Sequence, residues 1–221
     1  MMLPKEKEGR PYISYSQIQL WNSLKSFNLG IPGKQEYIIQ YFEGKKFRDQ
    51  GWAEFGNDVE EYITKREKEE KFTEEERKVL NEIQTLGKFQ TEGLMNMGEF
   101  DVLMYIDDCK EDYSRIRDYK TGSKSSLKKY EKPDYKQLHI YASWIHQETG
   151  VIPECEVVCI ERKGNCMMGK GRKALTIGKE VNTINITVTE KDILEIKKEI
   201  TETALEIEKH FIIYNQLKGI K

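Results

Sequence analysis

Two aspartates and a lysine carry the strongest chemical signal in the chain. The stretch 98–122, GEFDVLMYIDDCKEDYSRIRDYKTG, reads as two antiparallel strands joined by a polar turn around residues 109–112. Asp101 falls on the first strand, and Arg117-Asp118-Tyr119-Lys120 closes the second. Strand side chains alternate, so Asp118 and Lys120, two apart, project from one face. A carboxylate beside a lysine is costly to desolvate unless each has a partner. Carboxylates on neighbouring strands can share a divalent cation, with the lysine close to the reacting group. That set suits phosphodiester hydrolysis.

The flanking elements must hold these groups in place. Ser14 or Ser16 caps a helix through Ile18, Leu20, Trp21 and Leu24, after a polar and frayed segment 1–12. Gly30, Pro32 and Gly33 mark a loop, and 37–47 is ambiguous between helix and irregular chain. Residues 47–68 read as a helix with Trp52, Phe55, Val59, Tyr62 and Ile63 on its apolar side. Gly56 interrupts it at a cost in helix stability, which close packing of another backbone would explain. Glu60, one turn on, shares roughly that face, although spacing alone makes it one of many solvated glutamates. Thr73-Glu74-Glu75-Glu76 is a capping box that opens a helix through Val79, Leu80, Ile83 and Leu86, closed by Gly87. A strand at 88–95 leads into the hairpin.

Beyond Gly122, Lys124, Lys128, Lys129, Lys132 and Lys136 are interleaved with Tyr130 and Tyr135. Lysines neutralise phosphates and tyrosines stack on bases, although an exposed loop of this composition is also ordinary. Asp134 is placed to cap the next helix, which ends at Gly150 and aligns Gln137 with Tyr141 four residues on. His139 and His146 read as polar-face residues of that helix, and no HExxH-type zinc spacing occurs. A strand follows at 155–162, then a loop at 164–171 with Met167 and Met168, then a strand pair at 173–177 and 182–188. Thr189 caps a long helix whose stripe is Ile193, Ile196, Ile200, Ala204, Ile207, Phe211 and Tyr214.

Composition bounds the class. The 221 residues are 38% hydrophobic and 33% charged, which suits a single large domain with solvated helices. The net charge of −2 gives no global basic signature, so any nucleic-acid contact must come from a local patch. No apolar run is long enough to span a bilayer and MMLPKEKEGR lacks a signal-peptide core, so a cytoplasmic, intracellular location and no membrane partner are expected. Cys109, Cys155, Cys159 and Cys166 match no tight metal-binding interval and read as reduced structural thiols.

GNDVE on a helix, GEFD on a strand, RDYKTG on its partner and YKQLHIY on the following helix stand in a telling order. Together they resemble the PD-(D/E)XK nuclease superfamily, in particular its RecB-like exonuclease branch. The opening YISYSQIQLWNS is similar to that branch's N-terminal segment, and the resemblance spans most of residues 12–162. It implies a restriction-endonuclease-like α/β fold: a central mixed β-sheet flanked by helices, with a long C-terminal helix. The whole chain, 1–221, would be one nuclease domain with an N-terminal helical segment (1–50), a core (51–162), and a β-hairpin plus helix (163–221). Asp101, Asp118 and Glu60 would be the metal ligands, for Mg²⁺ or Mn²⁺. Lys120 would orient the attacking water and the phosphate. Gln137 and Tyr141 match a Q-x-x-x-Y helix that helps bind DNA, with Lys124, Lys128 and Lys129 as further substrate contacts. Glu60 stands where many RecB-like members have histidine, as in GxxxH. Several members hold an iron–sulfur cluster with an N-terminal cysteine and three C-terminal ones; this chain has no N-terminal cysteine, so no iron-sulfur cluster is expected.

The reading that follows is a metal-dependent deoxyribonuclease acting on linear, single- or double-stranded DNA in recombination or repair, an exonuclease rather than an endonuclease. A phage-encoded enzyme fits it, as does a homo-oligomer or a recombination partner protein. The rival is a non-catalytic nucleic-acid-binding or assembly module that retains the nuclease fold; a further rival is an unrelated α/β scaffold.

Overall fold

The computed structural model describes residues 1–26, 28–47, 51–132, 135–166 and 171–219. The chain starts with a short hairpin, β1 (Glu6–Lys7) and β2 (Arg10–Ser14), so the segment 1–12 joins the sheet instead of fraying. Ser14 then caps α1 (Tyr15–Asn22) through a full capping box with Gln17. α2 (Gly33–Tyr37) runs into one turn of π-helix at Ile38–Phe42. α3 (Trp52–Lys65) buries Phe55, Val59, Tyr62 and Ile63. Gly56 is not a tight contact there, because a Cβ would meet only Thr121 Oγ1 at 3.8 Å.

Thr73 closes a capping box on α4 (Glu74–Asn81), which ends short of Gly87. Beyond its end the Asp108 carboxylate accepts the backbone N–H groups of Leu86 and Gly87 and ties that segment to the following sheet. β3 (Lys88–Asn96), β4 (Asp101–Cys109) and β5 (Arg115–Gly122) form the meander. The short α5 (Lys124–Leu127), a 3₁₀ turn at Lys128–Glu131 and α6 (Lys136–Thr149) follow. The Asp134 cap lies outside the described residues, as does the Met167–Met168 part of the later loop.

β6 (Glu154–Gly164) runs parallel to β5, the crossover being made through α6. β7 (Leu175–Ile186) is one twelve-residue strand antiparallel to β6, not the expected pair of strands; its only irregularity is a register shift opposite Ile160 to Arg162. α7 (Glu190–Lys218) completes the chain, with Ile193, Ile196, Ile200, Ala204 and Ile207 buried as the stripe requires. Phe211 and Tyr214 pack on Phe42 of the π-turn.

Among the described residues the seven strands form one mixed sheet, with β3 pairing β4 to one side of the path β1-β2-β4-β5-β6-β7. Its two faces carry separate apolar cores. One includes Trp21, Phe100, Ile106, Leu138 and Ile200, under α1, α6 and α7. The other includes Phe55, Ile63, Leu80 and Ile160, under α3 and α4. The protein is therefore a mixed α/β fold with a central sheet flanked by helices and a long C-terminal helix. Among the described residues, no helix is long and apolar enough to cross a membrane.

Candidate active site

β4 serves three neighbours, and the site lies where it runs out of one. β3 covers one edge over nearly the whole strand. The other edge is shared: β2 runs parallel to Asp101–Leu103, and β5 runs antiparallel to Asp108 and Cys109. Between those stretches, from Met104 to Asp107, that edge has no strand partner. β2 has turned into α1 at Ser14, and β5 has left to pair with β6. The opening is a groove of about 570 Å³ lined by Ser14, Ser16, Met104, Tyr105, Asp107 and Lys120, with Lys129, Tyr130, Tyr135 and Tyr141 on the far wall.

Asp118 lies at the fork, fully buried. Lys120 Nζ spans both its carboxylate oxygens, 2.8 Å from Oδ1 and 2.7 Å from Oδ2. Tyr135 Oη lies 3.2 Å from Oδ2 and 2.6 Å from Gln137 Oε1, and Gln137 Nε2 in turn donates to Tyr141 Oη. Asp118, Lys120, Gln137 and Tyr141 are thus brought together as the sequence spacing suggested, with Tyr135 as the link.

The second aspartate is not the expected one. Asp101 stands at the far end of β4, about 20 Å from Asp107 at roughly 3.3 Å per residue. There Arg10 holds it in a fork, Nε to Oδ2 at 2.9 Å and Nη2 to Oδ1 at 3.1 Å. Asp101, expected as a metal ligand, is instead an ion-paired residue at the start of β4, flanked by β2 and β3 and away from Asp118. Asp107 is the β4 aspartate that lies beside Asp118: its Oδ2 accepts the Tyr119 backbone N–H at 2.8 Å, which fixes it against the residue after Asp118. The strands part here, and the carboxylate replaces the ladder bond that β4 would otherwise supply.

Glu60 projects from α3 toward the same cluster and accepts a hydrogen bond from Gln90 of β3. Burial pushes its pKa up, and Asp118 adds to this, against the opposing pull of Gln90 and Lys120. Burial likewise raises Asp107 well above the usual carboxylate range, reinforced by Asp118 and Glu60. Burial works against the Lys120 ammonium, but Asp118 and Asp107 outweigh it and raise its pKa, so Lys120 is a firm cation. Burial also pushes Tyr15 on the groove wall up to about 12.

The basic stretch divides. Lys129 and Lys136 line the groove. Lys124 and Lys128 do not: they border a separate cavity of about 140 Å³ with Glu131, Glu161 and Glu180, and Lys124 is paired with Glu180 at 2.6 Å. Tyr130 is buried and stacks edge-on against Tyr135 with ring centroids 4.9 Å apart. His139 is also buried instead of lying on a polar face. All four cysteines are buried free thiols. Among the described residues, no three His, Cys, Asp or Glu side chains are gathered tightly enough to hold a metal ion as they stand.

No protein-family model and no curated protein matches the sequence. A similar solved structure is a crystal structure from Eubacterium rectale, of a protein provisionally described as an exonuclease. It superposes with a TM-score of 0.52 at 14% identity, covering 95% of this chain and 82% of that one. At that identity the likeness shows a shared fold, that of a protein described as a nuclease.

Proposed function

We propose that the protein is a metal-dependent DNA nuclease of the PD-(D/E)XK superfamily, RecB-like branch, acting as an exonuclease on linear DNA. One observation carries the reading. Asp107 and Asp118 adjoin across the fork of β4 and β5, with the Lys120 ammonium against them at the floor of an open groove. The fold shared with a protein described as an exonuclease supports it.

The donor chemistry fits a hard cation. Asp107, Asp118 and Glu60 offer carboxylate oxygens alone, the ligand type of Mg²⁺ and Mn²⁺. Burial is the first reason the pKa values of Asp107 and Glu60 are raised, with neighbouring carboxylates adding to it, and a bound cation would favour their charged forms. These three residues would hold the ion, which supplies Lewis acidity toward the phosphate and an acidified water.

In hydrolysis a water oxygen forms a bond to phosphorus while the bond to the leaving sugar oxygen breaks. The water gives up a proton and the leaving oxygen gains one. Lys120, held protonated, is no base in this step. It donates hydrogen bonds to the phosphate oxygens as their charge grows, and Asp118 fixes where it sits. Tyr135, Gln137 and Tyr141 hold Asp118 in turn. Lys129 is placed to neutralise a flanking phosphate; Lys136 lines the groove but is paired with Glu199 at 2.7 Å, and Lys124 and Lys128 are set further away.

The second reading, a binding module that keeps the fold without the chemistry, is favoured by two features: Lys120 covers both oxygens of Asp118, and among the described residues no three acids are gathered tightly enough to hold a metal ion. The deciding experiment incubates the protein with Mn²⁺ or Mg²⁺ and either linear or circular DNA, beside Asp118→Ala. The expected result is loss of the linear substrate alone, abolished in the variant. Cleavage of circles would make it an endonuclease, unchanged activity in Asp118→Ala would remove the site, and tight binding without cleavage would favour the module.

A further inference from the structure

We propose that Gln90 is a positioning residue that sets Glu60 against Asp107 for metal binding, an inference that rests on the nuclease reading. Three observations meet at this residue. Its backbone is left-handed, with φ of 46°, a region where side chains other than Gly, Asn and Asp are uncommon. It stands opposite Asp107 in the β3–β4 register, between the pairs Phe89–Asp108 and Thr91–Ile106, yet the Gln90–Asp107 pair itself is missing from the ladder. Its side-chain amide donates to the Glu60 carboxylate.

The geometry has a single logic. Asp107 lacks a ladder partner on either side: β5 has departed on one edge, and the left-handed turn at Gln90 interrupts the other. The same turn directs the Gln90 amide across to α3. One local distortion therefore frees the backbone around one acid and pins the side chain of another, although the two acids come from different layers of the fold. A glycine would take this φ without steric strain but would leave Glu60 free to rotate. Strain held at such a position is characteristic of groups that must be preorganised. Partners behind metal ligands typically change affinity or rate by about 10–100-fold when removed.

The test compares wild type, Gln90→Gly, Glu60→Gln and the double variant. Mn²⁺ binding is read by calorimetry, kcat and KM on linear DNA by kinetics, and Tm in the absence of metal. Gln90→Gly is expected to weaken Mn²⁺ binding and lower kcat, each by about tenfold or more, with KM for DNA little changed and Tm not reduced. In the Glu60→Gln background the same change is expected to have no further effect, since the two residues act as a unit. Unchanged Mn²⁺ affinity in Gln90→Gly, or an equal loss in both backgrounds, would overturn the proposal and leave the nuclease reading standing. A wild type that binds Mn²⁺ but cuts no DNA would overturn the nuclease reading, while calorimetry still decides Gln90. A wild type that does neither removes both.

Discussion

The Asp107 carboxylate accepts the backbone N–H of Tyr119 at 2.8 Å, and this single bond brings it beside Asp118 where two strands separate. Asp101, at the other end of the same strand, is instead clamped by Arg10. The pair gives a sharp discrimination. Asp107→Asn is expected to lower nuclease activity by a hundredfold or more, on the order of other losses of transition-state stabilisation. Asp101→Asn should retain activity within a few-fold and show a modest drop in Tm. Steady-state assays on linear DNA, with melting curves alongside, check both.

Lys120 and Asp118 form a largely buried pair, and removing one partner leaves the other charge uncompensated. Lys120→Met alone should destabilise the protein by up to about 3–5 kcal/mol. Adding Asp118→Asn should recover much of that loss while activity stays absent. Urea unfolding of the two single variants and the double variant measures the coupling; additive losses would show that the pair is not a unit.

Burial raises the pKa of Asp107, Glu60 and Asp108. An acid with a raised folded pKa binds more protons in the native state than in the unfolded one. The window runs from the unfolded carboxyl value of about 4 up to the raised folded values. Across it, stability contributed by these groups falls as pH rises, and at neutral pH their ionisation is a net cost. Asp107→Asn should therefore raise stability at pH 7, on the order of 0.5–2 kcal/mol, and lessen the fall of stability as pH rises above the unfolded carboxyl value. Denaturant midpoints at several pH values provide the check; a drop in stability for Asp107→Asn at pH 7 would contradict it.

A fourth expectation concerns packing behind the site. A Cβ at Gly93 of β3 would lie 2.7 Å from Cδ2 and 2.8 Å from Cε3 of the Trp144 indole, so α6 packs on the sheet through that glycine. Gly93→Ala should cost about 1–3 kcal/mol by overpacking, whereas Gly56→Ala, with open space and a helical backbone, should be neutral or stabilising. Thermal melts of the two variants separate these outcomes.

Local chemistry was legible in the sequence. The boxes at Thr73 and Thr189 start α4 and α7, and the Ile193 to Ile207 stripe is buried as its period requires. Asp118, Lys120, Gln137 and Tyr141 meet because they lie on one short βα unit. Non-local pairing was not legible. The β2–β4 contact joins residues some ninety positions apart, and nothing in 1–12 signals a strand. The exchange of Asp101 for Asp107 was recoverable from the hairpin itself. With Cys109 opposite Ile116 and Asp108 opposite Arg117, one further step places Asp107 beside Asp118. Gln90 left no local signal, because its role depends on a backbone conformation that its residue type does not favour.

The wall of the groove formed by Ser14 and Ser16 depends on β2 docking in parallel onto a strand made much later in the chain. Contacts of such long sequence separation form against a loop-closure entropy that local hairpins escape. During synthesis the β4–β5 hairpin and its acids can assemble as a local unit, but the cleft becomes two-sided only when the amino-terminal strand returns to them. The two-sided cleft is thereby tied to completion of the sheet: a β4–β5 hairpin formed before β2 docks would carry these acids on an open surface.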